Sequence, residues 1–273
     1  MFGIGISSYS YPRAIKAAEM GLIKPITPLV LAERAVRFGV NILQICDNLP
    51  LSACNANELE ELKTYCSENG ISIEPGTRGI NPELIEVYTE IGSKLQARIL
   101  RTILPSGYTA KQMIMELMKL QPLLEHANIM LAIENYEKYS LADYREILYA
   151  LPERYYGLCL DTANNLGRGE IPEQYVSDLG TRICCVHIKD VAATRLPSTN
   201  GFVIEGVPAG CGIVNIPGIL ADISRRACNY TVILEQWPPE KETLEETVEA
   251  ETLSAEQGIR YLKLFAYTSN AVE

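Results

Sequence analysis

The chain has 273 residues, 47% of them hydrophobic, and sets 24 Lys and Arg against 34 Asp and Glu for a formal net charge of -10. That is enough apolar chain for one large domain with a full core, while the acidic balance and the lack of any Lys/Arg run exclude nucleic acid and anionic membrane surfaces as expected partners. No apolar run approaches the roughly 20 residues that span a bilayer, the opening MFGIGISSYSYP is unlike a signal peptide, and eight scattered cysteines without a CxxC pair point to the reducing cytoplasm.

In chain order, eight short apolar or β-branched runs recur: 2–7 (FGIGIS), 41–46 (NILQIC), 71–75 (ISIEP), 97–103 (ARILRTI), 129–133 (IMLAI), 156–160 (YGLCL), 182–188 (RICCVHI) and 231–235 (TVILE). Continuous apolar runs suit strands covered on both faces, as in a parallel sheet crossed over by helices. The intervening segments carry helix boundary signals. Asn57 is the expected cap of the helix through ELEELKTYCSEN, Pro82 suits a first turn, Thr109 and Ser140 are further caps, and 242–265 reads as a closing helix. His126 reads as a helix C-terminal residue remote from any chemistry. Eight strand-plus-helix units without a linker predict one (β/α)8 TIM barrel over 1–273. A doubly wound sheet would want GxGxxG after its first strand, and GIGISSYSYP does not supply it.

Active sites of such barrels lie at the carboxyl ends of the strands. Here the fifth, sixth, seventh and eighth strands close on or run into Glu134, Asp161, His187 and Glu235. Any one of these carboxylates could be a helix cap or an arginine partner, but on successive strands the four groups should converge, and three acids in one mouth call for a neutralising cation. Three carboxylates and one imidazole form a mainly hard donor set suited to Mn²⁺ or Mg²⁺, with Co²⁺ or Zn²⁺ as alternatives.

The runs IENYE, LDTANN, VHIKD, GVPAGCGIVNIPG and ILEQWP, with the second-strand ILQICDN, resemble the sugar phosphate isomerase/epimerase family with its xylose-isomerase-like barrel. The resemblance implies that Glu134, Asp161, His187 and Glu235 bind one divalent metal, that Glu134 and Glu235 are acid/base partners on the substrate, and that such barrels pair as homo-oligomers. It leads to an isomerase or epimerase that removes a proton beside a carbonyl of a ketose or keto-sugar derivative through a metal-stabilised enediolate. A dehydratase or decarboxylase of a keto-sugar acid would share the intermediate, and a non-catalytic sugar-binding barrel is the third reading. The small-molecule partner is in each case a sugar or sugar acid.

Lesser positions complete the expected site. Asn164 stands where relatives often carry a substrate-facing histidine, and it can hydrogen-bond a hydroxyl but cannot exchange a proton near neutral pH. Lys189 either faces developing charge or bridges to Asp190. Asp47 and Asn48 could bind sugar hydroxyls, Arg78 an anionic group, and Trp237 could stack on a sugar ring or pack in the core. Arg195 lies in the stretch 191–210, read as a long loop covering the site. Asn215 closes a Gly-x-Gly-x-x-Asn run and reads as a helix cap.

Overall fold

The computed structural model describes residues 2–197, 200–227 and 229–268; Cys228 lies outside them. The predicted barrel is there. Strands β1 (Gly3–Ser7), β2 (Ile42–Ile45), β3 (Ser72–Arg78), β4 (Ile99–Ile103), β5 (Met130–Glu134), β6 (Tyr156–Asp161) and β7 (Ile183–Ile188) run parallel. Two further strands, β8 (Asp190–Arg195) and β9 (Phe202–Val207), form a separate ribbon, and β10 (Thr231–Leu234) closes the barrel between β7 and β1. Each apolar run of the sequence corresponds to one barrel strand, because both faces of such a strand are covered.

Register decides what points inward. Laterally paired residues of parallel strands share a face, so pairing Ser7 with Gln44, Gln44 with Glu74, Gly76 with Arg101, and Asp161 with His187 puts all of these on the barrel's inner side. The lower interior is filled by small or slender side chains, Ile42, Ala132, Cys159, Cys185 and Ile233. Gly5 makes room there: a Cβ on it would lie 2.5 Å from the Ile42 carbonyl oxygen. The larger core lies outside, between strands and helices, where Leu43, Leu131, Leu158 and Val232 meet Leu31, Ile85, Leu117, Ile147, Ile219 and Leu262.

The helix ends agree with their signals at Asn81–Pro82, Thr109, Ser140 and Asn215. One cap shifts. Asn55, not Asn57, caps the helix Ala56–Glu68: its side chain accepts from the amides of Asn57 and Glu58, and Glu58 returns a bond to the Asn55 amide. The closing helix spans Leu244–Thr268, and His126 sits exposed in the last turn of Ala110–Ala127.

The long loop expected after β7 is instead the antiparallel ribbon β8–β9, paired from Asp190–Val207 out to Arg195–Phe202. The β-formers of DVAATR and FVIEGV find partners in each other. At its base the buried Asp190 carboxylate accepts from the amides of Val191, Gly210, Gly212 and Val214, drawing the Gly-x-Gly loop against the end of β7. This explains Gly212, on which a Cβ would meet Asp190 Oδ1 at 2.1 Å and the Val191 carbonyl at 2.3 Å. Gly212→Ala should therefore lower stability by about 1–3 kcal/mol through overpacking, read as a melting temperature several degrees below that of the parent. Gly167→Ala, with nothing within 4 Å of the new methyl, should leave it unchanged.

Candidate functional site

Glu134, Asp161, His187 and Glu235 converge at the carboxyl end of the barrel, all buried, each offering a donor atom within 4.8 Å of the others. Around His187 Nδ1 stand Glu134 Oε2 at 3.2 Å, Glu235 Oε2 at 3.4 Å and Asp161 Oδ2 at 4.0 Å. The opposite oxygen of each carboxylate is anchored. Asn164 Nδ2 donates to Glu134 Oε1 (2.7 Å), Ser7 Oγ to Glu235 Oε1 (2.8 Å), and the amides of Ala163 and Asn164 to Asp161 Oδ1 (2.8 and 2.9 Å). Asn135 in turn clamps the end of β6, accepting from the Asp161 amide and donating to its carbonyl. Each carboxylate thus has one oxygen fixed by a neutral donor while its other oxygen lies toward His187 Nδ1.

The fourth donor has a matching property. His187 Nδ1 is buried and has no hydrogen-bond partner among the described residues, whereas Nε2 lies 2.7 Å from Gln44 Oε1. An orphaned buried nitrogen is costly unless something binds it. Donors at about 2.1 Å from one ion stand about 3–4 Å apart, so the spacing fits a cation held by these four residues, and the three-oxygen, one-nitrogen set fits a hard one. Cys159 and Cys185 also come within 4.8 Å of His187, a juxtaposition invisible in their sequence spacing. They lie one layer deeper in the apolar interior, where the facing ring nitrogen is already bonded to Gln44.

Two cations alter the expected electrostatics. Arg101 on β4 is buried and donates from Nε to Glu134 Oε2, while its Nη1 bonds Asp47 Oδ1 (2.9 Å) and the Thr77 carbonyl (3.1 Å). Lys189 Nζ contacts Asp161 Oδ2 at 2.6 Å and Glu235 Oε2 at 3.1 Å. The three acids are therefore not left to a metal alone, and repulsion among unpaired carboxylates is not what recommends an ion; the orphaned Nδ1 is. Burial works against ionising Glu134 and Glu235, but Arg101 and His187 hold Glu134 well below the usual carboxylate range, and His187 and Lys189 bring Glu235 to about 2. Asp161 is lifted by burial, which outweighs Lys189. Burial lowers His187, yet the carboxylates of Glu235 and Glu134 raise it well above its ordinary value.

The remaining expected positions divide. Lys189 faces inward with His187, and the alternative bridge to Asp190 does not form, since Asp190 is spent on loop amides. Trp237 is 44% exposed rather than in the core, its ring 5.1 Å from Lys189 Nζ. Asp47 and Arg78 join at the rim: Arg78 Nε and the Tyr9 hydroxyl both donate to Asp47 Oδ2, at 2.9 and 3.2 Å. Asn48 is tied to Ser8, accepting from its hydroxyl and donating to its carbonyl, and acts as a turn lock. Arg195 lies in a paired strand rather than in a loop, exposed at the far end of the ribbon with its guanidinium against Phe202. Arg101, Gln44, Glu74 and Ser7 escaped the sequence reading. A charged residue inside an apolar run, as in ILRTI or ISIEP, was the available signal for Arg101 and Glu74.

Two outcomes follow from these charges. An ion at Nδ1 must displace the proton that the raised His187 pKa retains, so apparent Mn²⁺ affinity should weaken as pH falls and strengthen as it rises, by up to about tenfold per unit below that pKa. Calorimetry across about pH 6 to 8 would show this with proton release, and a flat profile would contradict it. Arg101→Met strands the buried Glu134 charge and should cost about 3–5 kcal/mol in denaturant unfolding, part of it restored by added Mn²⁺.

Residues 32–263 match the family model of the xylose isomerase-like TIM barrel. The chain is 28% identical over 270 residues to a 3-oxo-isoapionate decarboxylase of Pectobacterium atrosepticum, an alignment covering 98% of this chain and 96% of that one. Among solved structures, a xylose isomerase-like TIM barrel protein from Mycobacterium smegmatis in complex with magnesium superposes with a TM-score of 0.68 at 17% identity, over 95% of this chain and 97% of the other. An L-ribulose 3-epimerase superposes with a TM-score of 0.69 at 13% identity, over 99% and 96% respectively. Barrel, strand-end constellation and family match agree, and the chain belongs to the xylose isomerase-like TIM barrel family.

Proposed function

We propose that the protein is a divalent-metal-dependent enzyme acting on a keto-sugar acid, and specifically a decarboxylase that removes a carboxyl group placed β to a ketone. The observation that carries the reading is the unpartnered, buried Nδ1 of His187 with three half-anchored carboxylates facing it. Mn²⁺ or Mg²⁺ suits the donors, and Glu134, Asp161, His187 and Glu235 would hold it. Likeness over almost the full length to a decarboxylase of a 3-oxo acid supports the choice of reaction.

An ion held there would supply Lewis acidity to the negative charge that develops on the ketone oxygen as the carbon–carbon bond to the carboxyl group breaks and carbon dioxide leaves. The protein does the rest. Lys189, kept protonated by Asp161 and Glu235, places a fixed cation beside the developing charge. Trp237 gives an apolar wall against which the sugar lies and beside which the carboxylate loses water. The proton that replaces the carboxyl group comes from the Lys189 ammonium, which solvent then recharges, while the ionised Glu235, with Ser7 on one oxygen and Lys189 on the other, holds that ammonium in place. Asn164 holds Glu134 and exchanges no proton itself. Arg78 and Asp47 at the rim receive the far end of the sugar chain.

Isomerisation or epimerisation of a keto sugar is the second reading, favoured by the placement of Glu134 and Glu235 at 3.2 and 3.4 Å from the same nitrogen, as a pair of proton-handling groups would require. One assay separates the two. Incubated with Mn²⁺ and a panel of 3-oxo sugar acids, the protein should release carbon dioxide, lose that activity to a chelator, and lose about 10²- to 10⁴-fold in kcat on Glu235→Gln. Inertness toward the acids together with deuterium uptake into neutral keto sugars would overturn decarboxylation in favour of the second reading, and no turnover of either would mean a binding barrel.

A further inference from the structure

His187 has two ring nitrogens, and an ion can take only the one that carries no hydrogen. Nε2 stands 2.7 Å from Gln44 Oε1, an amide oxygen that accepts and never donates, so Nε2 keeps a hydrogen and Nδ1 is the nitrogen left to bind an ion once its own proton is displaced. The Gln44 amide is oriented from its other end. Its Nε2 donates to Glu74 Oε2 at 2.9 Å and reaches Cys185 Sγ at 3.5 Å, while Oε1 also accepts from the Cys46 thiol at 3.4 Å. Turned over, the amide would set its NH₂ against His187, forcing the imidazole hydrogen onto Nδ1, and would lose both the bond its nitrogen gives to Glu74 and the one its oxygen accepts from the Cys46 thiol. Gln44, Glu74 and His187 are at most 4% exposed, so each polar atom depends on its protein partners. The register places Gln44 and Glu74 side by side on β2 and β3, facing inward, across the barrel from β7.

We propose that Gln44 and Glu74 are positioning residues that set the tautomer of His187: Glu74 fixes which way the Gln44 amide faces, and Gln44 thereby leaves Nδ1 as the nitrogen offered to the metal. The inference rests on the reading of the four-residue cluster as a metal centre. It gives a reason for two polar side chains set against the apolar lower layer of the barrel interior, each of which costs free energy to bury.

The test compares Co²⁺ affinity and melting temperature in the parent, Gln44→Met and Gln44→Glu, together with ring ¹⁵N spectra of histidine-labelled, Zn²⁺-loaded protein. Only two histidines are present, so the buried ring is read against the exposed His126 alone. Gln44→Met, similar in volume but without an acceptor oxygen, should weaken Co²⁺ binding about 10- to 100-fold. Gln44→Glu keeps an acceptor before Nε2 and should bind close to the parent. The parent spectrum should show Nε2 protonated and Nδ1 metal-bound; that measurement decides the matter even if a variant does not fold. Equal Co²⁺ affinity in all three proteins, parallel losses in both variants with parallel falls in melting temperature, or a metal-bound Nε2 would overturn the proposal. Failure of the parent to bind Co²⁺ would instead overturn the metal-centre reading itself.

Discussion

His187 Nδ1 is the point around which the barrel mouth is organised. An imidazole nitrogen sealed from solvent must be given a partner, or folding carries the cost of stripping it of water for nothing. Here the surroundings withhold hydrogen-bond donors from Nδ1 and turn three carboxylate oxygens toward it. The anchoring of each opposite oxygen, by Asn164, by Ser7 and by the amides after Asp161, keeps those acids from swinging away to satisfy themselves elsewhere. Preorganisation of this sort is wasteful in a purely structural core and useful for holding an ion.

Arg101 and Lys189 change how the charge of that cluster is understood. Each sits at the edge and neutralises carboxylates that an ion would otherwise have to balance alone. The two play different parts. Arg101 is locked on both sides by Glu134 and Asp47 and joins the deep cluster to the rim. Lys189 lies under the half-exposed Trp237, and in the proposed reaction it is the cation that meets new negative charge.

Much of this was readable in the sequence, for a definite reason. A strand end is where a run of apolar residues stops, so Glu134, Asp161, His187 and Glu235 announce themselves by position, and a barrel's closure then brings consecutive strand ends together. Side-chain parity within a strand is harder. When both faces are covered, the apolar run shows no alternation, and nothing says whether Gln44 in ILQIC looks toward the axis or toward the helices. Arg101 and Glu74 carried a stronger signal, since a charged side chain stands out inside such an apolar run. Long-range pairing was out of reach altogether. The partner of Lys189 depends on the register of β6 against β7, the cap at Asn55 on backbone angles, and the fate of Arg195 on the pairing of β8 with β9.

A crystal of the protein soaked in Mn²⁺ and measured for anomalous scattering tests the metal centre most directly. A single strong peak should lie within bonding distance of His187 Nδ1 and of one oxygen each from Glu134, Asp161 and Glu235. A mouth without a peak, or a peak held by other residues, would contradict it.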